Sequence, residues 1–112
     1  MMELKLINTK KREKEDISVE YRLYELNPYK IKVSHHTCGD DTWNNIFISK
    51  DYNERFLPDI YFEDNMFGER KSEFKIQTTS YGALEPAEIQ EVIKGYETAM
   101  KVVEILTKEF IK

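Results

Sequence analysis

Two runs of strict alternation constrain this chain most. Ile17, Val19, Tyr21 and Leu23 alternate with Ser18, Glu20, Arg22 and Tyr24. Tyr29, Ile31 and Val33 alternate with Lys30, Lys32 and Ser34. A period of two is the repeat of a strand that buries one face. Asn27-Pro28 lies between the runs and reads as a turn, so together they predict a β-hairpin.

Other segments extend the pattern. Leu4 and Leu6 flank Lys5 as a short first strand. The charged run from Lys10 to Asp16 reads as a solvated loop after it. Cys38-Gly39-Asp40-Asp41 reads as a turn, and Trp43 to Ser49 as a strand with apolar residues on both faces. After an irregular stretch, Asp59 to Glu63 and Glu73 to Thr78 predict two more strands, with Asp64-Asn65-Met66-Phe67-Gly68 opening the loop between them. Short connections favour antiparallel neighbours.

The last quarter predicts one helix over about residues 86–111. Pro86 suits the first helical position, Glu85 precedes it as the cap, and Glu88 follows at the third position. Leu84 and Ile89 are spaced for a hydrophobic staple. Ile89, Val92, Tyr96, Ala99, Val103, Leu106 and Phe110 form a stripe at steps of three and four. A fully helical segment here is about 39 Å long at 1.5 Å per residue. The predicted fold is a single α+β domain: an antiparallel meander sheet of five or six strands, with the helix packed on one face. Helices between strands, as a parallel doubly wound sheet needs, are missing from the pattern.

Composition narrows the function. The 112 residues carry a net charge of −4, which argues against a general nucleic-acid coat, because phosphate binding wants a basic face. Basic character gathers at Lys10–Lys14 and Arg70–Lys71. One cysteine, Cys38, cannot staple the chain internally and suits a reducing compartment. No apolar run approaches the ~18 residues of a membrane span. The first residues lack a signal-peptide core, so a cytoplasmic location is expected.

Several constellations could carry chemistry. His35-His36-Thr37-Cys38-Gly39-Asp40-Asp41 gathers imidazoles, a thiol and carboxylates, and His35, Cys38 and Asp40 are candidate zinc ligands. Cys38 with a histidine base would be a nucleophile. The plainer reading buries His35 with Tyr29, Ile31 and Val33, exposes His36, and packs Cys38 as a small apolar residue. Pro58-Asp59, then Glu73-Phe74-Lys75 with Gln77, resembles the nuclease superfamily named for its Pro-Asp … Asp/Glu-x-Lys motif. The resemblance implies that Asp59 and Glu73 hold Mg²⁺ or Mn²⁺ on adjacent strands while Lys75 helps activate water. The plain alternative is a surface hairpin with cross-strand charges. Tyr21, Tyr24, Tyr29, Phe47, Tyr61, Phe62 and Phe74 could line a sheet that stacks single-stranded bases. Such a binder predicts a positive patch joining Lys10–Lys14 to exposed tyrosines. The hydroxyl-rich segment from Gln77 to Leu84 could hold a small anion at the helix start, or serve as a packed crossover turned by Gly82.

The stretch from Phe74 to Leu84, with its Thr-Thr-Ser-Tyr-Gly-Ala-Leu run, and then a helix with Tyr96, Ala99, Val102 and Val103, resembles the C-terminal half of small uncharacterised proteins of bacterial phages and mobile elements. That resemblance implies a cytoplasmic accessory role. The leading expectation is a non-catalytic protein-interaction module, needing no cofactor, that also self-associates. Its expected interface residues are Tyr24, Phe47 and Val102.

Overall fold

The computed structural model describes residues 3–51, 53–64 and 72–111. Most of the Asp64–Gly68 loop start, and the basic pair Arg70–Lys71, lie outside the described residues. The elements are β1 (Lys5–Lys14), β2 (Ile17–Leu26), β3 (Tyr29–Cys38), β4 (Asp41–Lys50), β5 (Ile60–Glu63), β6 (Glu73–Ile76) and α1 (Pro86–Phe110). This is the α+β class with a meander sheet. The six strands divide into a four-stranded sheet in the order β1-β2-β3-β4 and a separate β5-β6 pair. The chain forms two compact units, Met1–Ser49 and Lys50–Lys112.

In the first unit, β2 and β3 pair antiparallel from Leu26↔Tyr29 to Ile17↔Cys38, across a turn whose Asn27-Pro28 bond is cis. The two alternating runs fall on opposite faces: Tyr29, Ile31 and Val33 share one with Leu26, while Ile17, Val19, Tyr21 and Leu23 lie on the other, with Ile17 exposed. Leu26, Tyr29 and Ile31 are fully buried. The charged run is the main departure from expectation: Lys10 to Lys14 is the second half of β1, not a loop. It pairs with β2 as far as Lys14↔Ile17. The turn comes at Glu15, whose φ of 54° places it in the left-handed region. A strand at a sheet edge has solvent on one side, so charged side chains suit it.

In the second unit, β5 and β6 form an amphipathic hairpin. Phe62 pairs with Phe74 and Ile60 with Ile76 on one face, while Tyr61↔Lys75 and Glu63↔Glu73 occupy the other. The Phe62 and Phe74 rings are 5.0 Å apart. Helix α1 lies against β6. It starts at Pro86 as expected, and the Glu88 carboxylate accepts the Glu85 N–H at 3.1 Å. Gly82 takes the positive φ of 72° that the crossover needs. The Tyr96 hydroxyl then accepts the Thr79 N–H at 3.2 Å, tying the crossover to the helix.

The buried line of α1 is Gly95, Ala99, Val102 and Leu106. It is rotated from the expected stripe. Ile89, Ile93 and Met100 are exposed instead. Gly95 gives the reason. A Cβ at that position would lie well inside 3.0 Å of the Phe56 carbonyl oxygen and 3.4 Å from the Leu57 Cα. The helix approaches this backbone so closely that only glycine fits, and that contact fixes its rotation.

Gly95→Ala therefore sets two effects against each other. Alanine is the better helix former by about 1 kcal/mol, but overpacking a close contact costs about 1–3 kcal/mol. We expect a net loss, read as a lowered urea midpoint; a raised midpoint would mean that the backbone around Phe56 yields freely.

Candidate functional site

Antiparallel partners share a face, so the pairing assigns every side chain of the first sheet to one side or the other. Asn8, Leu23 and Lys32 align on one face, as do Lys10, Tyr21 and Ser34, and Arg12, Val19 and His36. On the reverse face Thr9, Arg22 and Val33 align, and so do Lys11, Glu20 and His35. A bulge at Ile7 puts Leu6 with Tyr24 on the reverse face.

The two faces treat charge differently. On the reverse face the cations are neutralised in place. Lys11 lies 2.9 Å from Glu13, and Arg22 lies 2.6 Å from Glu20. The hydrogen bond that the Lys11 ammonium donates to Glu13 holds its pKa above the ordinary value. Glu20 does the same for Arg22. On the front face Lys10, Arg12 and Lys32 form no ion pair among the described residues. They line a groove of about 450 Å³ with Asn8, Tyr21 and Leu23. Arg22 borders the same groove, although its guanidinium is engaged by Glu20. The Lys32 ammonium stands 5.2 Å from the Tyr21 ring centroid, a cation–π distance.

The front face continues toward β4. The His36 ring stacks on Trp43 with centroids 5.1 Å apart and planes 1° from parallel. His36 Nε2 lies 3.1 Å from the Ser34 hydroxyl and 3.3 Å from the Asn45 amide nitrogen. Alternation along β4 puts Phe47 on the side of Trp43 and Asn45, and it is 67% exposed. The front face thus joins a basic groove to an open aromatic ring.

The residues singled out from the sequence are placed differently from expectation. His35 and Cys38 project from opposite faces of β3, because their separation along the strand is odd. His35 is exposed and bonds the Asn44 side chain at 2.6 Å, while His36 is the half-buried one. That reverses the expected burial of the pair. Cys38 is exposed, not packed. His35, Cys38 and Asp40 therefore do not converge, and no group of three metal-ligating side chains occurs among the described residues.

Asp59, Glu73 and Lys75 share one face of the second hairpin but not one place on it. The Gln77 N–H donates to the Asp59 carbonyl, whereas Glu73 pairs with Glu63. Four residues of strand separate those levels, about 13 Å at ~3.3 Å per residue. Asp59 faces Lys50 at 3.7 Å. Lys75 lies 2.5 Å from Glu63 and 3.5 Å from Glu73. The Glu63 hydrogen bond holds its ammonium above the ordinary value. This is the cross-strand charge arrangement of a surface hairpin.

Of the expected interface residues, only Phe47 is fully exposed. Val102 is buried in α1, and Tyr24 is half-buried on the reverse face opposite Ile31. No family model, curated protein or solved structure matches the chain. Among the described residues no helix is long and apolar enough to cross a membrane.

The placement of these groups predicts a result with metals. Chelator-treated protein should melt at the same temperature with and without Mn²⁺ or Zn²⁺, because a ligand held only by the folded state raises the midpoint. A Mn²⁺ shift abolished by Asp59→Ala, or a Zn²⁺ shift abolished by Cys38→Ser, would contradict the separation described here.

Proposed function

We propose that the front face of the four-stranded sheet binds single-stranded nucleic acid, without cleaving it. One observation carries the reading. The cations of the reverse face are internally paired, while Lys10, Arg12 and Lys32 of the front face are left to a groove that also holds Tyr21. Unpaired cations on one face attract a polyanion, and exposed rings beside them stack bases.

The acidic total charge does not oppose this. Residues 1–49 hold eight basic and eight acidic side chains, so the excess of four negative charges lies entirely in residues 50–112. Within the first unit the front face gathers Lys5, Lys10, Arg12, Lys14, Lys30 and Lys32 against Glu25, which stands between Lys5 and Lys30, and Asp41 at the start of β4. In this reading Lys10, Arg12 and Lys32 neutralise phosphates. Phe47 offers a π-face to unstacked bases, which a duplex does not present, while the Tyr21 ring carries Lys32 over it. A cytoplasmic, non-catalytic accessory role fits such a binder and leaves no demand for a cofactor.

The test is fluorescence anisotropy of a labelled single-stranded oligonucleotide across a salt series. Three phosphate contacts give a slope of log K against log salt of about −2, since each contributes ~0.7 on single strands. Lys10→Ala, Arg12→Ala and Lys32→Ala should each flatten the slope by about 0.7. Phe47→Ala should weaken binding by about 1–3 kcal/mol and leave the slope alone. Absence of binding at low salt would end the proposal. So would binding that survives all three charge removals.

A further inference from the structure

The four-stranded sheet has two edges, and they are built in opposite ways. β1 carries Lys5, Lys10, Lys11, Arg12, Glu13 and Lys14, and a bulge breaks its register between Leu6 and Asn8. Charges and bulges are the devices that keep an edge strand from pairing with another chain. β4, the other edge, has neither charge nor proline from Thr42 through Ser49. Its sequence in that stretch, Thr-Trp-Asn-Asn-Ile-Phe-Ile-Ser, is rich in β-branched and aromatic residues. Asn44, Asn45, Phe47 and Ser49 are exposed. β4 is as long as the inner strands β2 and β3, ten residues each, so its outer edge offers a full-length row of backbone donors and acceptors.

We propose that β4 pairs antiparallel with β4 of a second copy of this chain, joining two sheets into one of eight strands. The charges select this occupant and orientation. Acidic Asp40 and Asp41 stand at the start of β4 and basic Lys50 at its end. A parallel copy sets acid beside acid. An antiparallel copy sets each acidic end beside the other's Lys50, in addition to the contacts Lys50 already makes with Asp59 and with the Leu57 carbonyl.

The same argument fixes the register. A twofold axis relating antiparallel neighbours stands perpendicular to the sheet, so paired residues must project from the same face. With Asn45 opposite itself on the axis, Asp40 meets Lys50 and Trp43 meets Phe47, each pair occurring twice. Moving the axis to Ile46 instead sets Asp41 against Asp51. The Trp43–Phe47 pairs cover part of the exposed Phe47 ring, and the front faces of the two copies become continuous. The proposal does not rest on nucleic-acid binding, because the pairing is made by the backbone of the edge strand and needs none of Lys10, Arg12 or Lys32.

Size-exclusion chromatography with light scattering of the full chain should give twice 13.4 kDa. In a Cys38→Ser background, Asn45→Cys places two thiols opposite each other at the axis, with Cα atoms ~5 Å apart, within disulfide reach. Mild oxidation should then give a covalent dimer, whereas Thr9→Cys on β1 should give no covalent dimer. Asn45→Lys sets two ammonium groups face to face and should return the chain to 13.4 kDa. A wild-type mass of one chain, equal cross-linking at Thr9→Cys, or an undisturbed dimer in Asn45→Lys would each overturn the proposal.

Discussion

Everything on the four-stranded sheet depends on which residue stands opposite which. Tyr21 is held between Lys10 and Ser34, and that one row puts a cation, a ring and a buried hydroxyl on the same side. A slip of one residue between β1 and β2 would exchange Lys10 and Arg12 for Lys11 and Glu13. The front face would then carry a carboxylate in place of a guanidinium. The β2–β3 register is secured where burial is strongest, at Leu26, Tyr29 and Ile31 beside their turn, and it places Lys32 on the front face. The placement of Lys10 and Arg12 rests on the β1–β2 pairing itself, along a strand exposed throughout.

The same logic separates the two hairpins. In the second unit the acidic and basic groups of β5 and β6 satisfy each other, with Lys75 set between Glu63 and Glu73. A lysine in that position is already occupied, and its carboxylates are too. On the front face of the first unit no carboxylate is aligned with Lys10, Arg12 or Lys32, whose row-mates are Asn8, Val19, Tyr21, Leu23, Ser34 and His36. Similar numbers of charged residues therefore give a closed surface in one place and a receptive one in another.

Much of this was legible in the sequence, and the failures have physical causes. The alternation of β2 and β3 reports the period of a strand, so those strands and their turn could be read. It reports burial only for Tyr29 and Ile31, because Ile17, Val19, Tyr21 and Leu23 stand on the other face. Pro86 and Glu88 mark a helix start by backbone chemistry that tertiary packing does not alter. The run from Lys10 to Asp16 misled because charge reports exposure, not conformation, and an edge strand is exposed. A signal was present: Lys10, Arg12 and Lys14 recur at every second residue, as side chains on one side of a strand must. The helix stripe is displaced because the closest contact of α1 is made at Gly95, which has no apolar side chain to mark it. A residue without a side chain can lie at the centre of a packed face, and this one drew Val102 inward and left Ile93 and Met100 outside. His35 does continue the face of Tyr29, Ile31 and Val33, but burial on that face fades away from the β2–β3 turn, while His36 is sheltered on the other face by the Trp43 ring.

The contact at Gly95 also limits how this unit can change shape. Helices that transmit signals by sliding along their axis exchange one ridge of side chains for the next. Here a slide of one position would bring Lys94 or Tyr96 against the Phe56 carbonyl, where not even a methyl group fits. The Thr79 tether to Tyr96 resists rotation from the other side. Axial slippage is thereby closed to α1, and the helix is either seated on this backbone or lifted from it as a whole.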